Sequence, residues 1–135
     1  MHNGIPKDPN MFYDVIDFHL AFEQPVSYQP KLPDDDEREL RIKLLAEEFQ
    51  EYIDAEIDND IVEIADALAD LIYIACGTAA SYGIPLNRVW NEVHSSNMAK
   101  LGPDGKPIKR ADGKIRKPDG WKPPNVKKII EDHGV

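Results

Sequence analysis

The 135-residue sequence holds a single cysteine, Cys76, and between residues 44 and 87 it holds no lysine or arginine. The lone thiol excludes a disulfide within the chain. The first ten residues, MHNGIPKDPN, lack a basic stretch followed by an apolar run, so they do not read as a secretory leader. Together these absences lead us to expect a cytoplasmic location. Uninterrupted apolar runs are also missing. The most apolar stretch, residues 61–83, carries Glu63, Asp66 and Asp70, each costly in hydrocarbon, so a buried bundle helix is expected rather than a membrane span.

What is present is acidic, and unevenly so. The net charge is −9, but residues 1–99 carry 6 Lys/Arg against 20 Asp/Glu, whereas residues 100–135 carry 10 against 5. An acidic body argues against a binder of duplex nucleic acid, whose affinity rests on neutralising phosphates. The basic tail is compatible with small anionic ligands, or with a merely solvated extension. At 41% hydrophobic and 30% charged, the chain reads as one globular domain over 1–135. A chain this short leaves much apolar surface near its exterior, so a homodimer or homotetramer is expected to complete the core.

The pattern predicts an all-α fold. A short helix is expected over about Asn10 to Gln24, followed by a connector whose prolines exclude helix. Residues 34–57 contain neither glycine nor proline and begin with acids suited to a helix amino terminus, predicting a helix from Asp34 to Ile57. After an Asp-Asn-Asp turn, a helix apolar almost all round should run to Gly83 and be buried on most sides. Another is expected over Leu86 to Leu101, and a last short one over Asn125 to Asp132. Residues 102–124 contain three Asp-Gly pairs with cations between them and predict a basic hairpin or ordered loop.

On a helical wheel Leu40, Leu44, Glu48, Glu51 and Ala55 fall within roughly 80°, so two carboxylates share the apolar stripe. Glu63, Asp66 and Asp70 fall within about 60° on the next helix, beside Ile74 and Gly77. Carboxylates gathered in a core repel one another and lose hydration, and this region has no basic residues to compensate. A hard divalent cation would compensate, because Mg²⁺ favours oxygen ligands and retains waters that a phosphate can replace. If the two helices pack antiparallel, the Glu48/Glu51 and Glu63/Asp66 pairs can converge. The alternative for Glu47, Glu48 and Glu51 is a solvated face. A di-iron bundle would need Glu-x-x-His motifs, and the chain has none.

Glu47-Glu48-x-x-Glu51 followed by Glu63-x-x-Asp66 resembles the signature of the all-α nucleoside triphosphate pyrophosphohydrolases, the MazG-like superfamily. Phe18-His19, Arg41, Asp66 to Tyr73, Gly77, Val93 to Lys100, Asp112-Gly113-Lys114 and Lys117-Pro118 resemble its phosphoribosyl-ATP-pyrophosphohydrolase-like subgroup of bacteria and phages. The resemblance implies that Glu48, Glu51, Glu63 and Asp66 bind Mg²⁺, with Mn²⁺ able to substitute. It further implies that Glu47 orients or deprotonates water or helps hold a second metal, and that Asp70 positions a metal-bound water or contacts substrate. The implied reaction is attack of water on the α-phosphorus of a nucleoside triphosphate, releasing monophosphate and pyrophosphate. Asn97, Lys100, Lys109, Arg110, Lys114 and Lys117 are the expected phosphate-binding residues. A deoxynucleotide such as dGTP or dUTP is favoured, with phosphoribosyl-ATP hydrolysis, or a silent nucleotide-sensing scaffold, as alternatives.

Overall fold

The computed structural model describes residues 10–132 as five helices and one short antiparallel strand pair. Within the span expected to be a single domain there are two compact units, divided between Ile84 and Pro85.

In the first unit, helix α1 (Met11–Ala21) starts where the Asn10 side chain accepts from the Tyr13 amide at 3.0 Å. It buries Phe12, Val15 and His19, three residues at helical spacing. It ends three residues short of the expected Gln24, because Glu23 takes a left-handed φ of 56° and the Gln24 amide bonds back to the His19 carbonyl at 2.7 Å. The connector that follows is tied to the third helix by amide bonds from Ser27 to the Ala80 carbonyl and from Lys31 to the Tyr82 carbonyl, both 2.9 Å.

Helix α2 (Asp35–Ile57) begins at the Asp34 cap, whose carboxylate accepts from the Glu37 amide at 2.9 Å. Asn59, at φ 52°, makes the turn into α3 (Ile61–Tyr82), and Asp60 caps that helix by accepting from the Val62 and Glu63 amides. Gly83 closes α3 at φ 69°, and a Cβ there would also lie 2.2 Å from the Gln29 carbonyl oxygen. Both the handedness and the close approach call for glycine.

Helix α3 packs against α1 and α2. The expected burial on most sides does not hold for it. Its buried residues are mostly small, namely Ala67, Cys76, Gly77, Ala79, Ala80 and Ser81, while Ile61 is 74% and Val62 70% exposed and Leu68, Ile72 and Tyr73 are also open. Two neighbouring helices cannot surround a third, so one chain leaves part of this apolar circumference uncovered. Ile42 and Phe49 of α2 are exposed as well.

The second unit contains α4 (Leu86–Met98), β1 (Ile108–Lys109) paired with β2 (Ile115–Arg116), and α5 (Val126–Asp132). Helix α4 stops before the expected Leu101, which forms a bridge with Pro107 while the Gly102 amide bonds to the Lys106 carbonyl. The basic segment is a hairpin in part: the Arg110 amide donates to the Lys114 carbonyl at 2.7 Å around an Asp112-Gly113 turn with Gly113 at φ 83°. The carboxylate of Glu92 accepts from the Asn125 amide at 2.7 Å, fixing the start of α5. Among the described residues, no helix is long and apolar enough to cross a membrane.

Candidate metal centre

Helices α2 and α3 meet through small residues. Ala55 and Ala67 are both buried, and they line a cleft of about 340 Å³ together with Glu51, Asp54, Asp58, Glu63 and Asp66. Alanine at the contact lets the helices approach closely, so acids flanking it on both helices face the same space.

One turn further along, Glu48, Glu51 and Asp70 each place a carboxylate oxygen within 4.8 Å of the others. Glu48 and Asp70 are half-buried and Glu51 is exposed. Burial pushes the Glu48 carboxyl above its usual pKa range, and a side-chain hydrogen bond with Glu51 and the nearby charges of Glu51, Asp70 and Asp66 push it further. Asp70 is raised for the same reasons, burial first and then Asp66 and Glu51. The Oε2 atom of Glu48 is buried with no hydrogen-bond partner. Among the described residues the ion pairs are Arg110–Asp112 and Lys127–Glu131, so none of these acids has a basic partner.

The nearest buried cation in sequence is occupied elsewhere. Arg41 is buried on α2, two turns before Glu48, and donates from Nε to Thr78 Oγ1 at 3.0 Å and from Nη2 to the Ile74 carbonyl at 2.9 Å. Loss of hydration lowers its pKa from the usual guanidinium value, an effect that Glu37 and Tyr82 oppose. Ser81 Oγ donates to Glu37 at 2.6 Å and adds a second tie between the two helices. His19 Nδ1 donates to the Pro25 carbonyl at 2.8 Å, since a carbonyl can only accept. Gly77 makes this polar packing possible: a Cβ there would lie 2.6 Å from Arg41 Nη2 and 2.8 Å from His19 Nε2. These ties set the register of α2 against α3, and with it the position of Glu48 and Glu51 relative to Asp70.

Of the expected ligands, Glu48 and Glu51 fall in the close trio, and Glu51, Glu63 and Asp66 line the adjoining cleft. The trio's third member is Asp70, for which the resemblance implies a role in positioning a metal-bound water or contacting substrate rather than a place among the ligands. Asp54 and Asp58 also line the cleft and were not singled out from sequence, although both continue the acidic side of α2 toward the turn. Glu47 is exposed and precedes Glu51 by four residues, hence by about one turn. Asn97, Lys100, Lys109, Arg110, Lys114 and Lys117 all lie in the second unit.

The protein is thus a helical bundle with an uncompensated carboxylate group, between two antiparallel helices, that could hold a metal ion. The sequence pattern of the phosphoribosyl-ATP pyrophosphohydrolase family matches residues 11–97, and the chain belongs to that family, within the MazG-like superfamily. The match takes in α1 to α3 and most of α4 and leaves the basic hairpin outside. An uncharacterized protein of Acanthamoeba polyphaga mimivirus, L479, is 34% identical over an alignment of 77 residues that covers 54% of this chain. The matched stretch spans 31% of that viral protein's length.

Proposed function

We propose that the chain hydrolyses a (deoxy)nucleoside triphosphate to monophosphate and pyrophosphate in a Mg²⁺-dependent reaction serving nucleotide-pool control. The observation that carries this reading is the buried, unpartnered Glu48 Oε2 in a trio of carboxylates that no basic residue neutralises. An all-oxygen donor set of this kind suits Mg²⁺ or Mn²⁺ and not a thiophilic metal. Glu48, Glu51 and Asp70 would hold the cation, with Glu63 and Asp66 lining the adjoining cleft for a second ion or for metal-bound water. When bound, the cation supplies charge neutralisation at the phosphates and acidifies a coordinated water.

The side chains supply the rest. Glu47, one turn from Glu51, would accept a proton from an attacking water. Asn97 and the tail cations Lys100, Lys109, Arg110, Lys114 and Lys117 supply charge and hydrogen bonds for the phosphates. The exposed apolar residues of α1 to α3 support assembly of the chain into a dimer or tetramer, which light scattering on the purified protein would test. The family match favours phosphoribosyl-ATP as a second reading of the substrate. A panel of dNTPs, NTPs and phosphoribosyl-ATP with Mg²⁺, resolving monophosphate, diphosphate and phosphate, separates the two. Release of orthophosphate with a diphosphate product would overturn both.

A further inference from the structure

The basic unit contains an arrangement that composition alone does not convey. Trp121 lies beneath two ammonium groups, with Lys117 Nζ 4.5 Å and Lys100 Nζ 5.4 Å from its ring centre. The ring is pinned by its polar edge, where Nε1–H donates to the Ser96 carbonyl at 2.8 Å. That carbonyl is free to accept because the Lys100 amide turns to the Asn97 carbonyl instead, at 3.1 Å. Buried Ser96 adds a second fastening, its hydroxyl donating to the Lys122 carbonyl at 3.2 Å. The segment carrying Trp121 is thus fixed against the end of α4 at two points, and the indole face is left to cations.

We propose that Trp121 is a positioning residue that gathers Lys100 and Lys117 into a clamp for the polyphosphate chain of the nucleotide. This deepens the triphosphate reading and rests on it for the identity of the ligand. Two like charges at one ring repel each other, and neither lysine has a carboxylate within 4.0 Å among the described residues. Lys100 Nζ donates to Asn97 Oδ1 at 3.0 Å, which leaves the Asn97 amide hydrogens to point elsewhere as further donors. Several donors on one small surface, with positive charge and no carboxylate to neutralise it, suit an extended anion with many oxygens. A single orthophosphate would engage only part of the group. Cation–π contact holds each ammonium in place without neutralising it, so its charge stays available to the ligand.

The chain has two tryptophans, so Trp90→Phe leaves Trp121 as the sole indole reporter. The full-length protein in that background, with chelator present and ionic strength held constant, is titrated with inorganic tripolyphosphate and with orthophosphate while indole emission is followed. The expected result is saturable binding of tripolyphosphate at least about ten-fold tighter than orthophosphate, weakened about ten-fold by Lys117→Met and retained by Lys117→Arg. Trp121→Leu, followed by calorimetry, should lose the same affinity, while Trp121→Phe, which keeps a ring face, should lose less. In nucleotide hydrolysis Lys117→Met should raise KM and leave kcat in place. Unsaturable emission changes, or equal affinity in Lys117→Met and Lys117→Arg, would overturn the clamp. Tripolyphosphate binding without any nucleotide turnover would instead overturn the enzymatic reading and leave the clamp standing.

Discussion

The two units of this chain each gather like charges, but by opposite means. In the first, carboxylates stand on two long helices, two of the three half-buried, and close enough for their oxygens to lie within 4.8 Å of one another. In the second, one lysine stands just past a helix end and the other just past strand β2, held by the face of an aromatic ring rather than by burial. Rigid helices and loss of hydration make a tight, expensive site that suits a small hard cation. A ring under mobile side chains makes an adaptable site that suits a longer anion. Nucleotide hydrolysis at a metal uses both kinds, and the following expectations probe whether the contrast is real.

The largest expected effect falls on the acidic side. Glu51 belongs to both the trio and the cleft, so Glu51→Gln should cost about a hundred-fold or more in turnover and most of the thermal stabilisation by Mg²⁺. Without metal the variant should be at least as stable as the parent, because one repelling charge is gone. Pyrophosphate release and calorimetry with and without millimolar Mg²⁺ check both halves. Full activity in the variant would remove the acidic group from the mechanism.

Much of that acidic site was legible in the sequence, and the part that was not has a physical reason. Period-3.6 spacing placed Glu48 and Glu51 on one face of α2 and Asp66 and Asp70 on one face of α3, and the acidic run from Asp34 and the Asp-Asn-Asp turn marked where those helices begin. Which acids meet across the two helices depends on how they cross. The contact through Ala55 and Ala67 brings Asp70, rather than Glu63, up to Glu48 and Glu51. The exposure of Ile61, Val62 and Phe49 was not legible either, since apolar periodicity does not say whether the covering surface belongs to the same chain. The brace made by Arg41 left a signal that went unused for the site: a lone cation on the stripe that carries Glu48, and Gly77 on the facing stripe.

A second expectation tests whether that brace sets the acidic geometry. Gly77→Ala forces a methyl against Arg41 and His19 and should cost roughly 1–3 kcal/mol of stability through overpacking. Mg²⁺ affinity should fall with it, because the register of α2 against α3 shifts. Unchanged denaturant midpoint and unchanged metal affinity would show that the brace and the acids are independent. On the basic side a smaller contrast is expected. Lys117→Ala should raise KM about ten-fold, while Lys114→Ala, at the exposed hairpin turn away from the ring, should raise it only about two-fold. Equal effects would return the tail to a diffuse cationic surface.

The smallest expected effect is a pH dependence that the acidic unit alone should show. Glu48 and Asp70 have raised pKa values in the folded protein, through burial and through neighbouring carboxylates. Between the ordinary carboxyl range and those raised values, the folded chain therefore binds more protons than the unfolded one. Stability then decreases as pH rises through that window, the reverse of the behaviour of a carboxylate paired with a base. With a chelator present, the melting temperature should fall as pH is raised above the ordinary carboxyl range, and Glu48→Gln should flatten part of the slope. Mg²⁺ should invert the trend, because protons and cation compete for the same oxygens and the stabilisation by metal grows as the protons leave. Lys117→Met, in the other unit, should leave both slopes as they are. A chelated parent whose melting temperature rises with pH over this window, with no response to Glu48→Gln, would show that the carboxylates are solvated, and the contrast between a costly acidic site and an adaptable basic one would fail.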